Sequence, residues 1–284
     1  MNRLSRNMLI FMISSLAFAE SGQAAVIYSN NAGLPLVQSF DTSTGAMNFS
    51  FTGSGSNGRG VVVVGDVVYT TDAGSGHVGK FDRTTGTSLG GFDIAGASGI
   101  STISFDGDNF WTSDYTGSNK AFYVSPTGAL LNTITLERSE GFYDGLEYFN
   151  GKLIANRFDG GIRGGNQYSV YDTNGNLLQA DFIDTTGHGN GTGIAFDGTN
   201  FYISDIFNDR ATIWSGTTGD FIGALTLIGS ANVIEDLSFD FEGRPDTCRI
   251  DCEPNNNVPE PASLALLGLG LLGLISARRR KKPA

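Results

Sequence analysis

The stretch "GIAFDGTNFYISDIFNDRATIWSGTTGDFIGALTL", Gly193 to Leu227, decides the fold. It divides into four short runs: GIAFDG (193–198), NFYISD (200–205), RATIWS (210–215) and DFIGALTL (220–227). Each is rich in β-branched and aromatic residues, and turn-forming Asp, Asn, Thr and Gly separate them. That is the signature of consecutive antiparallel hairpins. Such a meander cannot bury both faces alone, so it needs neighbours of the same kind.

The neighbours are written along the chain. The turn GTTG (216–219) is matched by DTSTG (41–45), DRTTG (82–86), SPTG (125–128) and DTNG (172–175), with glycines at 45, 86, 128, 175 and 219. A second turn keeps step at Gly65, Gly107, Gly151 and Gly198. Four strands repeating every 40–45 residues or so is the β-propeller signal. Sustained helical periodicity with caps is absent between the chain ends, which argues against a helical solenoid. The body opens partway through a unit, with strands near 26–28, 36–40 and 47–51, and closes on NVIEDLSFDFEG (232–243), a first strand without its other three. Joining Val233–Phe239 to the N-terminal strands completes one blade and removes an open edge. The expectation is an all-β, five-bladed propeller over 26–245. Extra strands within 53–60 or 157–168 would make it six.

The fifth unit also resembles an NHL-type repeat, with Asp205, Asn208 and Arg210 in that family's D-x-x-N-x-R positions. The second unit has Asp72, Ser75 and His77 instead, and the third keeps Asp114 alone. The resemblance implies a propeller and leaves its function open.

The two ends carry addresses. Residues 1–25 combine Arg3 and Arg6, an apolar run from Met8 to Ala19, and small residues at Ala17-Phe18-Ala19 and Ala24-Ala25, as a secretory signal peptide does. The last segment, 258–284, runs from Val258-Pro259-Glu260-Pro261 through an uncharged Leu/Gly-rich span to Arg278, Arg279, Arg280, Lys281 and Lys282. The span is short for a bilayer that wants roughly 20 apolar residues. Read alone it is a weak membrane stop or a plain tail anchor, with its basic end held in the cytoplasm. The order of the three parts resembles the PEP-CTERM sorting signal. That resemblance implies recognition by an exosortase, a membrane transpeptidase, with Pro259-Glu260-Pro261 as the recognised element. It further implies a Gram-negative-type bacterium and display at the cell surface or in an extracellular matrix with exopolysaccharide or biofilm.

Of 18 Lys+Arg and 29 Asp+Glu, seven basic and two acidic residues lie in these ends, leaving the body near −16. Such a charge argues against nucleic acid, whose phosphates are bound by Lys and Arg, and suits an exported protein that attracts cations. Cys248 and Cys252 lie in a linker, 246–257. In an oxidising compartment two cysteines so close read as a local disulfide, since no His accompanies them as in zinc sites.

Chemistry is sparse. Asp72, Asp114, Asn156 and Asp205 each come just after a unit's second strand and would ring one face, either accepting N–H groups of the next turn or sharing a calcium ion. Asp106 and Asp197 read as turn formers. His188, in GHGNGTG, is the candidate general base, with Glu147, Asp144 and Glu235 as supporting carboxylates, but Gly-rich loops position catalytic groups poorly. Trp111 and Trp214 fall in strands and read as core; Tyr115, Tyr143 and Phe207 are candidates for stacking on sugar. The expectation is a non-catalytic surface or matrix propeller without a resident cofactor. The rival is an exported hydrolase or lyase acting on a carbohydrate or lactone with a cation at the channel end.

Overall fold

The computed structural model describes residues 26–53, 55, 57–115, 118–138, 144–157, 167–231 and 233–239. Among them, five four-stranded antiparallel sheets form the blades. The first blade holds β1 (Val26–Asn31), β2 (Leu36–Asp41), β3 (Met47–Thr52) and, on the inside, β20 (Ile234–Phe239). The second runs β4 (Gly58–Val64), β5 (Val67–Asp72), β6 (His77–Asp82), β7 (Ser88–Asp93). The third runs β8 (Ile100–Phe105), β9 (Phe110–Asp114), β10 (Lys120–Val124), β11 (Leu130–Thr135). The fourth has β12 (Leu146–Phe149), β13 (Lys152–Arg157), β14 (Gln167–Tyr171), β15 (Leu177–Asp184), and the fifth β16 (Gly191–Phe196), β17 (Asn200–Asp205), β18 (Arg210–Ser215), β19 (Phe221–Thr226).

The ring closes as the sequence predicts. β20 pairs antiparallel with β1, placing Phe239 opposite Ile27 and Leu237 opposite Ser29. Among the described residues the count is five, with 58–60 belonging to β4; residues 54, 56 and 158–166, within the two stretches that allowed for a sixth, lie outside them.

Burial grades from the axis outward. β8, β16 and β20 are buried along nearly their whole length, whereas β3, β7 and β11 are mostly exposed. The apolar core is divided among the gaps between blades. Phe149, Tyr168, Phe196, Phe201 and Trp214 fill the gap between the fourth and fifth blades. Ile27, Phe40, Ala211, Leu237 and Phe239 fill that between the fifth and first, so strands from both ends of the ring feed one core cluster. Burying such side chains is the main stabilising term, about 1.5–3 kcal/mol for each large one.

The repeated glycine has a specific cause. Gly45 and Gly219 have φ of 71° and 76°, the left-handed region an L side chain enters at a cost. A Cβ there would also fall on the carbonyl oxygen of Thr226 or of Phe182, in the outer strand of the preceding blade. The turn therefore leans on its neighbour, and only glycine permits both. In the equivalent turn ahead of Gly86, Asp82 Oδ1 accepts the backbone N–H of Thr84 (3.0 Å) and Thr85 (2.8 Å) and both hydroxyls. This donation holds its carboxyl down at about 2. Each outer strand pairs with a register shift, and such bulges twist an exposed edge away from unwanted pairing.

Candidate functional site

Bulges recur at the axis. In four blades the pairing of the innermost strand with its neighbour slips, at Asn30/Asn31, Gly58/Val61, Ile100/Ile103 and Gly191/Ile194. A bulge re-aims the side chains beside it, and here the re-aimed residues meet across blades. Arg59 Nη1 pairs with Glu235 and lies 3.9 Å from Asp144 Oδ1. Ser101 Oγ donates to the same Asp144 oxygen at 2.9 Å. Arg59 Nη2 donates to the Tyr115 hydroxyl at 2.8 Å, and the guanidinium lies 4.5 Å from that ring's centroid. With the Arg59 side chain 12% exposed and that of Glu235 1%, water scarcely reaches the pair.

One residue further along β20, Asp236 spans the centre. Its Oδ2 accepts the Val61 N–H at 3.1 Å and the Thr102 hydroxyl at 3.0 Å; its Oδ1 accepts the Ile194 N–H at 3.2 Å. One carboxyl group thus ties the first blade to the second, third and fifth. Gly193 permits the approach, since a Cβ there would fall on Asp236 Oδ1. Burial pushes the Asp236 carboxyl well above the usual carboxylate range, against the pull of these donors. Burial also lifts Glu235 to about 7 despite the attraction of Arg59. Asp144 is raised by burial too, opposed by Arg59 and Ser101. Burial thus favours the protonated form of all three carboxyls, and Glu235 is the one placed at about 7.

A second device holds the blades together. A polar side chain near the end of the strand next to the innermost reaches the adjoining blade's inner backbone: Asn30 donates to Gly60 O (2.9 Å), Thr71 to Ser101 O (2.5 Å), Asn156 to Thr192 O (3.3 Å) and Ser204 to Glu235 O (3.2 Å). Thr71, Asn156 and Ser204 also accept an N–H from their own blade or its entry, that of Gly60 (2.6 Å), Gly145 (2.9 Å) and Gly193 (2.9 Å). The sequence signal was present as Ser, Thr or Asn recurring just before the more conspicuous Asp.

That register corrects one alignment. Asn156 belongs with Thr71 and Ser204, one position earlier than Asp72, Asp114 and Asp205. The three aspartates end β5, β9 and β17 and are engaged locally. Asp72 accepts the N–H of Asn57 (3.0 Å) and Gly74 (2.7 Å), and Asp114 accepts from Ser118 Oγ. Asp205 accepts from Asn190 N (3.2 Å), Asn208 Nδ2 (2.9 Å) and Arg210 Nε (2.9 Å), a geometry compatible with an NHL-type repeat. Among the described residues, no three His, Cys, Asp or Glu converge as a cation would require.

The His188 ring stacks on Phe221, centroids 4.0 Å apart, and meets Trp214 edge-on at 5.3 Å. Trp111 and Trp214 are buried, Phe207 is exposed, and Tyr115 is engaged by Arg59. Asp106 and Asp197 cap their turns, Asp197 accepting from Thr199 N and Asn200 N, both at 2.7 Å. Tyr143, Cys248, Cys252, the signal segment and the sorting tail lie outside the described residues. Arg59 and Asp236 were not singled out from sequence; the signal for Arg59 is a lone cation between two glycines at the start of an apolar strand.

Residues 257–281 match the PEP-CTERM protein-sorting motif. The motif implies an exported protein with a membrane-anchored precursor, processed by an exosortase. No curated protein matches the chain by sequence. Among solved structures, a chain of a nidogen/laminin complex is similar at 11% identity, covering 77% of this chain and 98% of that one with a TM-score of 0.52. Glutaminyl cyclase of Myxococcus xanthus is similar at 12% identity over 70% and 74%, TM-score 0.49. Hydrazine synthase of Kuenenia stuttgartiensis is similar at 15% identity over 64% and 70%, TM-score 0.44. At these identities the likeness concerns fold alone.

Proposed function

We propose that this exosortase-sorted propeller is a non-catalytic binding or structural protein of the cell surface or extracellular matrix, associated with exopolysaccharide. The observation that carries the reading is Asp236, whose carboxyl is spent on three other blades. A centre occupied by ring-holding bonds suits a scaffold better than a channel that admits substrate. Strand direction suggests which side binds. β20 runs from the Arg59 layer to Phe239, which lies opposite Ile27 near the start of β1. Both described chain ends therefore leave the side away from Arg59 and Tyr115, and polysaccharide binding is assigned to the Arg59 side. Co-sedimentation of residues 26–245 with acidic and neutral bacterial polysaccharides tests this. Saturable binding without release of reducing ends or unsaturated sugars is expected, and turnover would sink the reading.

One observation favours the rival enzyme, a hydrolase or lyase. Glu235, held at about 7, shares Arg59 with Asp144, as an acid–base group working near neutrality would. If turnover is found, a loss of more than about 100-fold in kcat for Glu235→Gln would assign it to this layer. A calcium ion at a single one of Asp72, Asp114, Asn156 or Asp205, completed by backbone oxygens and water, is an auxiliary proposal, tested by titration calorimetry with calcium alone.

A further inference from the structure

The ring is closed by one six-residue strand from the far end of the chain, Ile234–Phe239, and the residue ahead of it is strained. Val233 has φ of 58°. Among the described residues, the other non-glycine positions with positive φ are Asn119, Asn150, Asp181 and Asp209, types that tolerate the left-handed region. A β-branched residue does not. Close by, Ser230 Oγ is buried with no hydrogen-bond partner among the described residues. The docked β20 holds one side of this hinge and the first blade holds the other, Val233 O accepting the Ala32 N–H at 3.0 Å and the Ala231 N–H donating to Gln38 Oε1 at 3.0 Å.

The docking is specific. β20 pairs along β1 from Ile27 to Asn31. Glu235 meets Arg59 of β4, and Asp236 accepts from Val61, Thr102 and Ile194. All these contacts are made by residues 234–239, and the matching guanidinium and donors lie in this chain. The same six residues of another copy would reproduce them, with its hinge freed from the left-handed conformation. Strained hinges favour such exchange.

We propose that the slot between β1, β4 and β16 accepts β20 of a second copy of this chain, so that copies associate by exchanging the closing strand. Reciprocal exchange closes a dimer; one-way exchange extends a chain. The proposal stands on the closing strand alone and is independent of any polysaccharide binding.

The test uses residues 26–245, which contain the complete ring and neither native cysteine. Ser29→Cys and Leu237→Cys are introduced into separate copies, since these positions face each other across β1 and β20. The two proteins are mixed in mild denaturant, refolded at low and high concentration, and oxidised. Exchange predicts a disulfide joining the two introduced cysteines, one from each copy, and a dimer fraction that grows with concentration. A Val233→Asn variant without cysteines gives a second readout by size-exclusion chromatography with light scattering. Relief of the strain should lower the dimerisation constant by roughly tenfold per hinge, about 100-fold in all. A refolded protein that stays monomeric at every concentration without the mixed disulfide would overturn the proposal. So would Val233→Asn dimerising as readily as the parent.

Discussion

Replacing Arg59 with methionine keeps the apolar stem and removes the guanidinium that Glu235 and Asp144 share. The consequence depends on pH. In the parent, Glu235 has its carboxyl raised from 4.5 to about 7 by burial. The folded state therefore holds a proton that the unfolded chain releases. Its stabilising contribution is complete below about 4.5 and is lost as pH rises through about 7. At roughly 1.4 kcal/mol per pH unit, that window weakens the parent by about 3 kcal/mol. Asp144 and Asp236 are raised too and act in the same sense. Without Arg59 the carboxyls lose their attraction and hold protons more tightly, so the decline should steepen and extend to higher pH. Near pH 5, where Glu235 is protonated, Arg59→Met should cost only about 1–2 kcal/mol, on the scale of a lost hydrogen bond. Near pH 8 it should approach the 3–5 kcal/mol or so of a broken buried ion pair. Urea unfolding of residues 26–245 from pH 4.5 to 9 measures both, with Glu235→Gln as the control that should flatten the parent's profile. A cost equal at the two pH values, or parent stability rising from pH 5 to 7, would refute the electrostatic account of the axis.

Gly219→Ala should lower stability by more than Gly198→Ala, because both have positive φ but only Gly219 presses on a neighbouring blade. About 1–2 kcal/mol is expected for the conformation alone at either site, with the excess at Gly219 read from denaturant midpoints. Asp205→Ala removes acceptors for Asn190, Asn208 and Arg210 and should cost about 2–3 kcal/mol by the same assay. Unchanged melting with loss of calcium-dependent binding would instead mark a metal ligand. Changing Pro259, Glu260 and Pro261 to alanine should leave the precursor in the membrane fraction. Mass spectrometry of mature surface material should find no peptide from 264–284, and recovering one would defeat the processing claim.

Much of this protein is local in the chain. Turn glycines such as Gly45 and Gly219 must recur where each blade leans on its neighbour, so their spacing reveals the unit and its count. The lone final strand betrays the closure, because a strand lacking its sheet must find one elsewhere. The sorting motif is read as a linear peptide, so its residues suffice to identify it. The axis is another matter. Arg59, Asp144 and Glu235 come from three blades, and their meeting depends on five sheets closing a ring. Strand alternation would send consecutive residues to opposite faces, yet Glu235 and Asp236 are both buried because β20 is the innermost strand of its blade and is buried along its whole length. The sequence also places Asn156 just after its unit's second strand, whereas its bonds to Gly145 and Thr192 set it one step earlier. Short-range pattern therefore determined the blades and the address, while the charged centre was decided by long-range backbone geometry that strand alternation cannot express.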